Sequence, residues 1–143
     1  MLFDQILENH SVNFSLTITA SLIDNFALAS LDDNPVHMSQ DYALEAGFKG
    51  RIFHGAGLVS IVSSVIANQL PGPGSILITI ESRFLKPAYL GDEVMINVKV
   101  VKKLKITNTI NLQYTAVNDD SLLIMSGKAK VLVPKDNPAD KQN

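Results

Sequence analysis

Residues 54 to 70 read HGAGLVSIVSSVIANQL and lie inside a longer stretch, Ile52 to Ile80, that contains no Asp, Glu, Lys or Arg. Apolar side chains recur in this segment at the spacing of one helix face, and they are Leu58, Ile61, Val62, Val65 and Ile66. Most of the other positions hold glycine, alanine or serine, whose small side chains let a neighbouring backbone approach closely. The segment therefore predicts a long buried helix that the rest of the chain surrounds.

A membrane span is the alternative interpretation of such an uncharged stretch. A span needs about 20 predominantly apolar residues. This segment includes His54, three serines, Asn68 and Gln69 before PGPG at residues 71 to 74 ends it. A buried central helix is the better interpretation, and no membrane partner is expected.

The rest of the chain predicts the sheet that packs on this helix. Four runs in the second half are rich in Val, Ile, Leu and Thr: ILITIESRF (76–84), EVMINVKVVKKLKI (93–106), TNTINLQYTAV (107–117) and SLLIMSGKAKVLV (121–133). In the second run, Val94, Ile96, Val98 and Val100 alternate with mostly polar residues, which is typical of a strand with one buried face. VNFSLTI (12–18) alternates in the same way. Long antiparallel strands beside one apolar helix predict an α+β fold.

Two shorter helices are predicted before the central one. TASLIDNFALASL (19–31) has apolar residues at helical spacing and must end near Asp32, because Pro35 keeps Asn34 out of the α region. MSQDYALEAG (38–47) predicts a short helix capped by Ser39 and ended by Gly47.

Composition excludes several classes of function. The chain has 143 residues, which suits one domain, with 12 basic and 14 acidic residues. A net charge of −2 offers no surface for nucleic acid or an anionic membrane. The absence of cysteine excludes disulfides and thiolate chemistry. MLFDQILENH lacks the features of a secretory signal, so a cytoplasmic location is expected. We expect one domain over 1–134 and a frayed tail over 135–143.

Asp32 and His37 are candidate catalytic residues. In a continuous helix they would point about 140° apart, but Asn34-Pro35 forbids such a helix, so a turn can bring the two side chains together. A carboxylate and an imidazole that converge on one water can activate it. From spacing alone, the alternative stays open that Asp32 caps a helix and that His37 is structural.

Gly55 opens the central helix, where backbone N–H groups have no intrahelical partner and can hold an oxyanion. Close packing is the alternative explanation for this glycine. His54 either contacts substrate or orders the loop that enters the helix. No metal is expected, because His10, His37 and His54 are too far apart in sequence to form a local ligand pair. No cofactor is expected, since the chain has no phosphate loop or dinucleotide motif.

Taken together, these motifs resemble a known family. FALASLDDNPVH (26–37), YALEAGFKGRIFHGAGLVSIVSS (42–64), LPGPGS (70–75) and RFLKPAYLGDEV (83–94) occur in this order. The series resembles the MaoC-like dehydratases, most closely the (R)-specific enoyl-CoA hydratases, which have the hot-dog fold. The hydratase motif of that family begins with an aspartate and ends with a histidine five residues later. Asp32, Asn34, Pro35 and His37 match it position by position.

The resemblance implies a reaction and a role for each matching residue. Asp32 and His37 would activate the water that adds to the β carbon of a trans-2-enoyl-CoA and return a proton to the α carbon. The Gly55 N–H would bind the thioester oxygen. Asn34 would support the catalytic loop, and Ser63 would face the site from the central helix. The product would be an (R)-3-hydroxyacyl-CoA, and the reaction would be reversible.

The resemblance also implies a partner and leaves alternatives. The family pairs two sheets edge to edge, so a homodimer or larger homo-oligomer is expected. The family often has a large apolar residue after His-Gly, so Ala56-Gly57 in this chain predicts a wider acyl pocket or a looser helix start. Two other functions stay open: dehydration of 3-hydroxyacyl groups on acyl carrier protein, and a non-catalytic module that binds acyl thioesters.

Overall fold

The computed structural model describes residues 1–134, which form a short 3-10 turn (Phe3–Gln5), four α-helices and five β-strands. The helices are α1 (Ala20–Ser30), α2 (Pro35–Met38), α3 (Gln40–Glu45) and α4 (Gly55–Asn68). The strands are β1 (Ser11–Thr17), β2 (Ile76–Phe84), β3 (Glu93–Leu104), β4 (Thr109–Asn118) and β5 (Leu123–Leu132). The tail predicted over 135–143 lies outside the described residues.

The five strands form one antiparallel sheet in the order β1-β3-β4-β5-β2. Each strand begins and ends within two residues of the bounds that the sequence predicts. β2 does not pair with β3, which follows it in the chain, but with β5, so β1 and β2 are the two edges of the sheet. This confirms the predicted α+β fold, a single domain with an antiparallel sheet packed around a central helix.

The core lies between one face of α4 and one face of the sheet. On the helix, Leu58, Val62, Val65 and Ile66 are each no more than 2% exposed. On β3, the alternating residues Val94, Ile96, Val98 and Val100 are each no more than 1% exposed, as predicted. These residues belong to one hydrophobic cluster. Burying each such side chain contributes roughly 1.5–3 kcal/mol, so the cluster is what holds α4 in the curve of the sheet.

The opposite face of α4 is not covered in the single chain. Ala56, Ser60, Ser64 and Ala67 are exposed there. The predicted burial of this helix therefore holds for the face that packs on the sheet and not for this one, because one five-stranded sheet curls around only part of a helix. No helix in the part of the chain that the structure describes is long and apolar enough to cross a membrane.

Two short helices, α2 and α3, occupy the connection between α1 and α4. Ser39 caps α3 as predicted, because its hydroxyl accepts a hydrogen bond from the Tyr42 N–H at 3.2 Å. The sequence predicts only a turn around Pro35, and the structure shows a single helical turn, α2, with Pro35 at its first position. Proline suits that position because its missing N–H needs no partner there. α2 thus carries His37 back toward α4.

Candidate active site

The turn after α1 is held by its own side chains. Leu31 ends α1 in the left-handed conformation, with φ 62° and ψ 22°, and reverses the chain direction. Asp32 Oδ1 then accepts a hydrogen bond from the Asn34 N–H at 3.2 Å. Asn34 Oδ1 accepts one from the Val36 N–H at 3.3 Å and so caps α2. Asn34 therefore supports the loop that lies between Asp32 and His37.

The turn brings Asp32 and His37 together. Asp32 Oδ2 lies 4.0 Å from His37 Nε2. The other ring nitrogen, His37 Nδ1, lies 2.8 Å from the Ile52 carbonyl oxygen. Because a carbonyl only accepts, Nδ1 carries the proton of the neutral ring and Nε2 presents its lone pair toward the carboxylate. About half of the Asp32 side chain is exposed, whereas that of His37 is mostly buried.

Burial controls the charge of His37. Removal from water lowers the pKa of His37 below its ordinary value of 6.5. The hydrogen bond to the Ile52 carbonyl and the charge of Asp32 act to raise this pKa, while the charge of His54 acts to lower it. Since lowering prevails, His37 is neutral at pH 7 and its Nε2 can accept a proton.

A pH dependence follows from this lowered pKa. If neutral His37 is required, the acid limb of kcat/KM should have an apparent pKa below 6.5. The sign is fixed because a lowered pKa keeps the ring neutral to more acidic pH. The free energy of unfolding should also decrease as the pH falls below 6.5, because the histidine of the unfolded chain takes up its proton at a higher pH than folded His37 does. Measuring kcat/KM from about pH 5 to pH 8 checks this, and an acid limb at or above 6.5 contradicts it.

Arg51 holds the backbone of α2 at His37. The sequence analysis did not predict this role. Its Nε donates a hydrogen bond to the His37 carbonyl at 2.6 Å, and its guanidinium forms an ion pair with Asp24 of α1. This links α1 and α2 and fixes the backbone of His37. One signal was available: Arg51 is the last charged residue before the uncharged stretch that begins at Ile52.

His54, which directly precedes α4, is packed into the same site. Its Nε2 lies 2.8 Å from the Asp32 carbonyl oxygen, and its ring stacks on His37 with centroids 3.8 Å apart and an interplanar angle of 26°. The residue is only 1% exposed. The sequence leaves open whether His54 contacts substrate or orders the loop before α4. In the structure His54 is hydrogen-bonded to a backbone carbonyl of the turn after α1.

Gly55 begins α4 next to this pair of histidines. Its N–H is one of the first four of the helix, which have no acceptor within the helix. The residue lines a cavity of about 370 Å³ whose other walls are apolar apart from one lysine: Ile52, Phe53, Leu58, Phe84, Leu85, Lys86, Pro87 and Ala88. The arrangement places an approachable backbone donor beside an apolar space, which suits a thioester with an acyl chain.

Ser63 and Gly57 lie further along α4 than Gly55. Ser63 is half-buried on α4, eight residues beyond Gly55, which corresponds to about 12 Å along the helix axis. Among the described residues it makes no hydrogen bond to Asp32 or His37. At Gly57 a side chain would collide with the Phe53 ring, whose nearest carbon is 2.4 Å from the Cβ position. Glycine at position 57 therefore leaves room for the Phe53 ring.

His37 and His54 lie far apart in the sequence but next to each other in the structure. His37 and His54 are stacked, and with Asp32 they present possible metal-ligand atoms that lie within 4.8 Å of one another. One nitrogen of each ring is bonded to a backbone carbonyl, of Ile52 and of Asp32 respectively. The atoms left for other chemistry are the Asp32 carboxylate and His37 Nε2, which face each other, and His54 Nδ1.

The family model described as a MaoC-like domain matches residues 5–120. The chain belongs to the MaoC-like family. This confirms the resemblance that the ordered series of motifs carries.

Individual relatives in this family match nearly the whole chain. The (R)-specific enoyl-CoA hydratase of Rhodospirillum rubrum is 35% identical over 92% of this chain and 91% of its own length. The 3-hydroxybutyryl-CoA dehydratase of Methylorubrum extorquens is 33% identical over 86% of this chain and 78% of its own. The unliganded R-hydratase from Pseudomonas aeruginosa matches with a TM-score of 0.90 at 30% identity, covering 94% of this chain and 86% of its own. The fold is the hot-dog fold of these MaoC-like hydratases.

Proposed function

We propose that this protein adds water to trans-2-enoyl-CoA to form (R)-3-hydroxyacyl-CoA and catalyses the reverse dehydration. The observation that carries the proposal is the 4.0 Å separation between Asp32 Oδ2 and His37 Nε2. A water that donates hydrogen bonds of about 2.8 Å to two acceptors at a near-tetrahedral angle sets them about 4.4 Å apart. The two side chains are therefore spaced to hold one water between them, and the CoA hydratase and dehydratase relatives support the same reaction.

The reaction follows from this placement. The water oxygen bonds to the β carbon while one of its O–H bonds breaks, and that proton passes to Asp32 or His37. The π electrons of the C=C bond move toward the α carbon and the thioester oxygen. The same group then returns the proton to the α carbon, so both side chains end in their starting state. Because the pair lies on one side of the substrate, addition occurs at one face, which yields one stereoisomer.

Negative charge on the thioester oxygen needs a donor. The Gly55 N–H is suited to this role, because it lies at the positive end of the α4 dipole and has no helical acceptor. The acyl chain would occupy the apolar cavity beside it, where Phe53 and Phe84 limit the space. Asn34 and Arg51 would act by holding the loop, and neither a metal nor a cofactor is needed for any step of this proposal.

The decisive experiment is a hydration assay with crotonyl-, hexenoyl- and octenoyl-CoA, followed by chiral analysis of the product. The proposal expects turnover of at least one of these thioesters and an (R)-3-hydroxyacyl product. An (S) product, or no turnover of any chain length, would contradict it. The assay also gives the chain-length preference of the cavity.

The same assay separates the two alternatives. Acyl carrier protein loaded with the same enoyl group is tested beside the CoA thioester, and a higher kcat/KM for the protein carrier would assign the chain to fatty-acid dehydration. A non-catalytic module would bind the thioester without turnover. The proposal favours CoA and includes a cytoplasmic location.

The proposal also includes a homodimer joined through β2. β2 has a strand neighbour on one side only. Its exposed residues include Ile76, Ile78 and Phe84, which are 59%, 49% and 53% exposed. An apolar edge strand is a template for pairing with another chain, and pairing with β2 of a second copy would cover it.

Size-exclusion chromatography at micromolar concentration tests this assembly. The wild-type protein should elute at no less than twice 15.5 kDa. Ile78→Lys should shift it toward the monomer, because a charge on the edge opposes pairing. Ser15→Lys, the matched change on the other edge strand β1, should leave the size unchanged. A wild-type monomer with full activity would rule out the shared sheet.

A further inference from the structure

His54 is the side chain that touches both members of the candidate catalytic pair. Its Nε2 is 2.8 Å from the backbone carbonyl oxygen of Asp32, and its ring lies 3.8 Å from the ring of His37, centroid to centroid. Phe26 of α1 packs on the imidazole at 4.9 Å and Phe53 at 6.0 Å, the latter edge-on. The ring is thus enclosed by the catalytic turn, α1 and the segment before α4.

Hydrogen bonding fixes which nitrogen of His54 carries the proton. The Asp32 carbonyl oxygen can only accept, so Nε2 donates to it. His54 Nδ1 is buried and has no hydrogen-bond partner among the described residues. A proton on that nitrogen would be a buried donor without an acceptor, which is costly. The neutral ring is therefore held as the Nε2–H tautomer, the one that can hold Asp32.

The structure assigns His54 as a positioning residue that sets the distance between the Asp32 carboxylate and His37 Nε2. The Nε2–H fixes the Asp32 backbone from a position 22 residues further along the chain. The ring face fixes the plane of His37, whose edge is already held by the Ile52 carbonyl. This inference rests on the proposed hydration reaction and adds to it a residue that does not touch the substrate, since His54 is 1% exposed.

Loss of the His54 contacts should lower kcat. A displacement of a catalytic group by about 1 Å can cost about 10²-fold in rate, and the 4.0 Å gap leaves little tolerance for one bridging water. Binding of the acyl chain and CoA uses other surfaces, so KM should change little.

Two substitutions separate the two contacts of His54. His54→Phe keeps an aromatic ring against His37 and Phe26 but has no N–H. His54→Gln loses the ring but places an amide Nε2–H at the same number of bonds from Cα. His54→Asn is the matched control for His54→Gln, because its amide is one bond shorter and does not reach the Asp32 carbonyl. His10→Phe makes the aromatic substitution at the histidine just before β1, outside the site.

The expected result is a loss of about tenfold to a hundredfold in kcat for His54→Phe, with KM changed by less than about threefold. His54→Gln should recover a large part of that loss, His54→Asn should not, and His10→Phe should behave as wild type. Thermal unfolding and circular dichroism confirm folding. If His54→Phe proves unfolded, the comparison of His54→Gln with His54→Asn decides alone. Equal kcat for Gln and Asn, or wild-type kcat for folded Phe, would overturn the assignment.

A second readout needs no substrate. The His54 ring stacks on the His37 ring with centroids 3.8 Å apart, and an aromatic ring at this distance shifts the NMR signals of the protons that face it. The His37 ring signals should therefore move in His54→Gln, which has no ring, and keep their wild-type positions in His10→Phe. Unchanged His37 signals in folded His54→Gln would overturn the contact. A wild-type protein that hydrates no thioester refutes the proposed function, and this spectrum still tests the contact.

Discussion

Replacing Asp32 by asparagine should lower kcat for crotonyl-CoA hydration by about 10²–10⁴-fold, the usual contribution of a general acid–base group. Asparagine keeps the size of the side chain but has no charge and cannot take up a proton. The Asn34 N–H donates to Asp32 Oδ1 at 3.2 Å, and an amide oxygen can accept the same bond, so the turn should keep its shape. The change therefore acts on chemistry and spares the fold.

His37→Ala removes the other side of the water site and should lower kcat by a similar factor. Because both residues serve one water, the double variant should be little worse than either single one, as is found when catalytic groups act as a unit. Independent roles would instead give losses that multiply. A double-mutant cycle on kcat distinguishes the two cases.

Asp33→Asn is the matched control, since it makes the same change at the next residue, which is also exposed. It should retain wild-type kcat. Circular dichroism of all variants checks the fold. If Asp32→Asn is folded and keeps more than about a tenth of wild-type kcat, well above what loss of a general base allows, this turn is not the catalytic site.

The sequence predicted most of the fold because its patterns are local. Alternation from Val94 to Val100 predicts a strand with one buried face, and each of the four apolar residues is buried. The same reasoning places α4, since its apolar stripe and the PGPG break are both within one segment. The order of strands was not predictable in this way. Pairing of β2 with β5 joins residues such as Ile76 and Leu132, and no local pattern encodes that distance.

In the candidate site, too, local contacts were predictable and long-range contacts were not. The convergence of Asp32 and His37 was predictable, because Asn34-Pro35 breaks the helix between two residues that are close in sequence. The contact of His54 with the Asp32 carbonyl was not, since it joins two segments through a backbone atom that is the same in every residue type. The hydrogen bond of Arg51 to the His37 carbonyl escaped prediction for the same reason. Contacts to backbone atoms leave little trace in residue identity.

Gly55→Pro should lower kcat by about 10²–10³-fold, the typical cost of losing one oxyanion donor. The substitution replaces the amide hydrogen at the start of α4 by the Cδ of the proline ring, so the donor is lost. Proline is favoured at the first position of a helix, and His54 before it already has an extended ψ of 133°, which the residue before a proline requires. The helix should therefore form as before while the proposed donor is absent.

The added side chain is controlled by Gly55→Ala. In both variants the new Cβ lies near the Phe84 ring, which is 3.0 Å from that position. Phe84 is 53% exposed and can move aside, so this cost is shared and cancels in the comparison. Alanine keeps the N–H and should retain most of kcat, while proline should not. The two variants should have the same circular dichroism spectrum, and their melting temperatures should agree within a few degrees.

The comparison decides which donor stabilises the thioester oxygen. An interaction made mainly in the transition state lowers kcat and kcat/KM together when it is removed, with KM nearly unchanged. If Gly55→Pro is folded and matches Gly55→Ala in kcat, the Gly55 N–H is not the oxyanion donor. The next N–H of α4, that of Ala56, would then be the candidate, because it too lacks a helical acceptor.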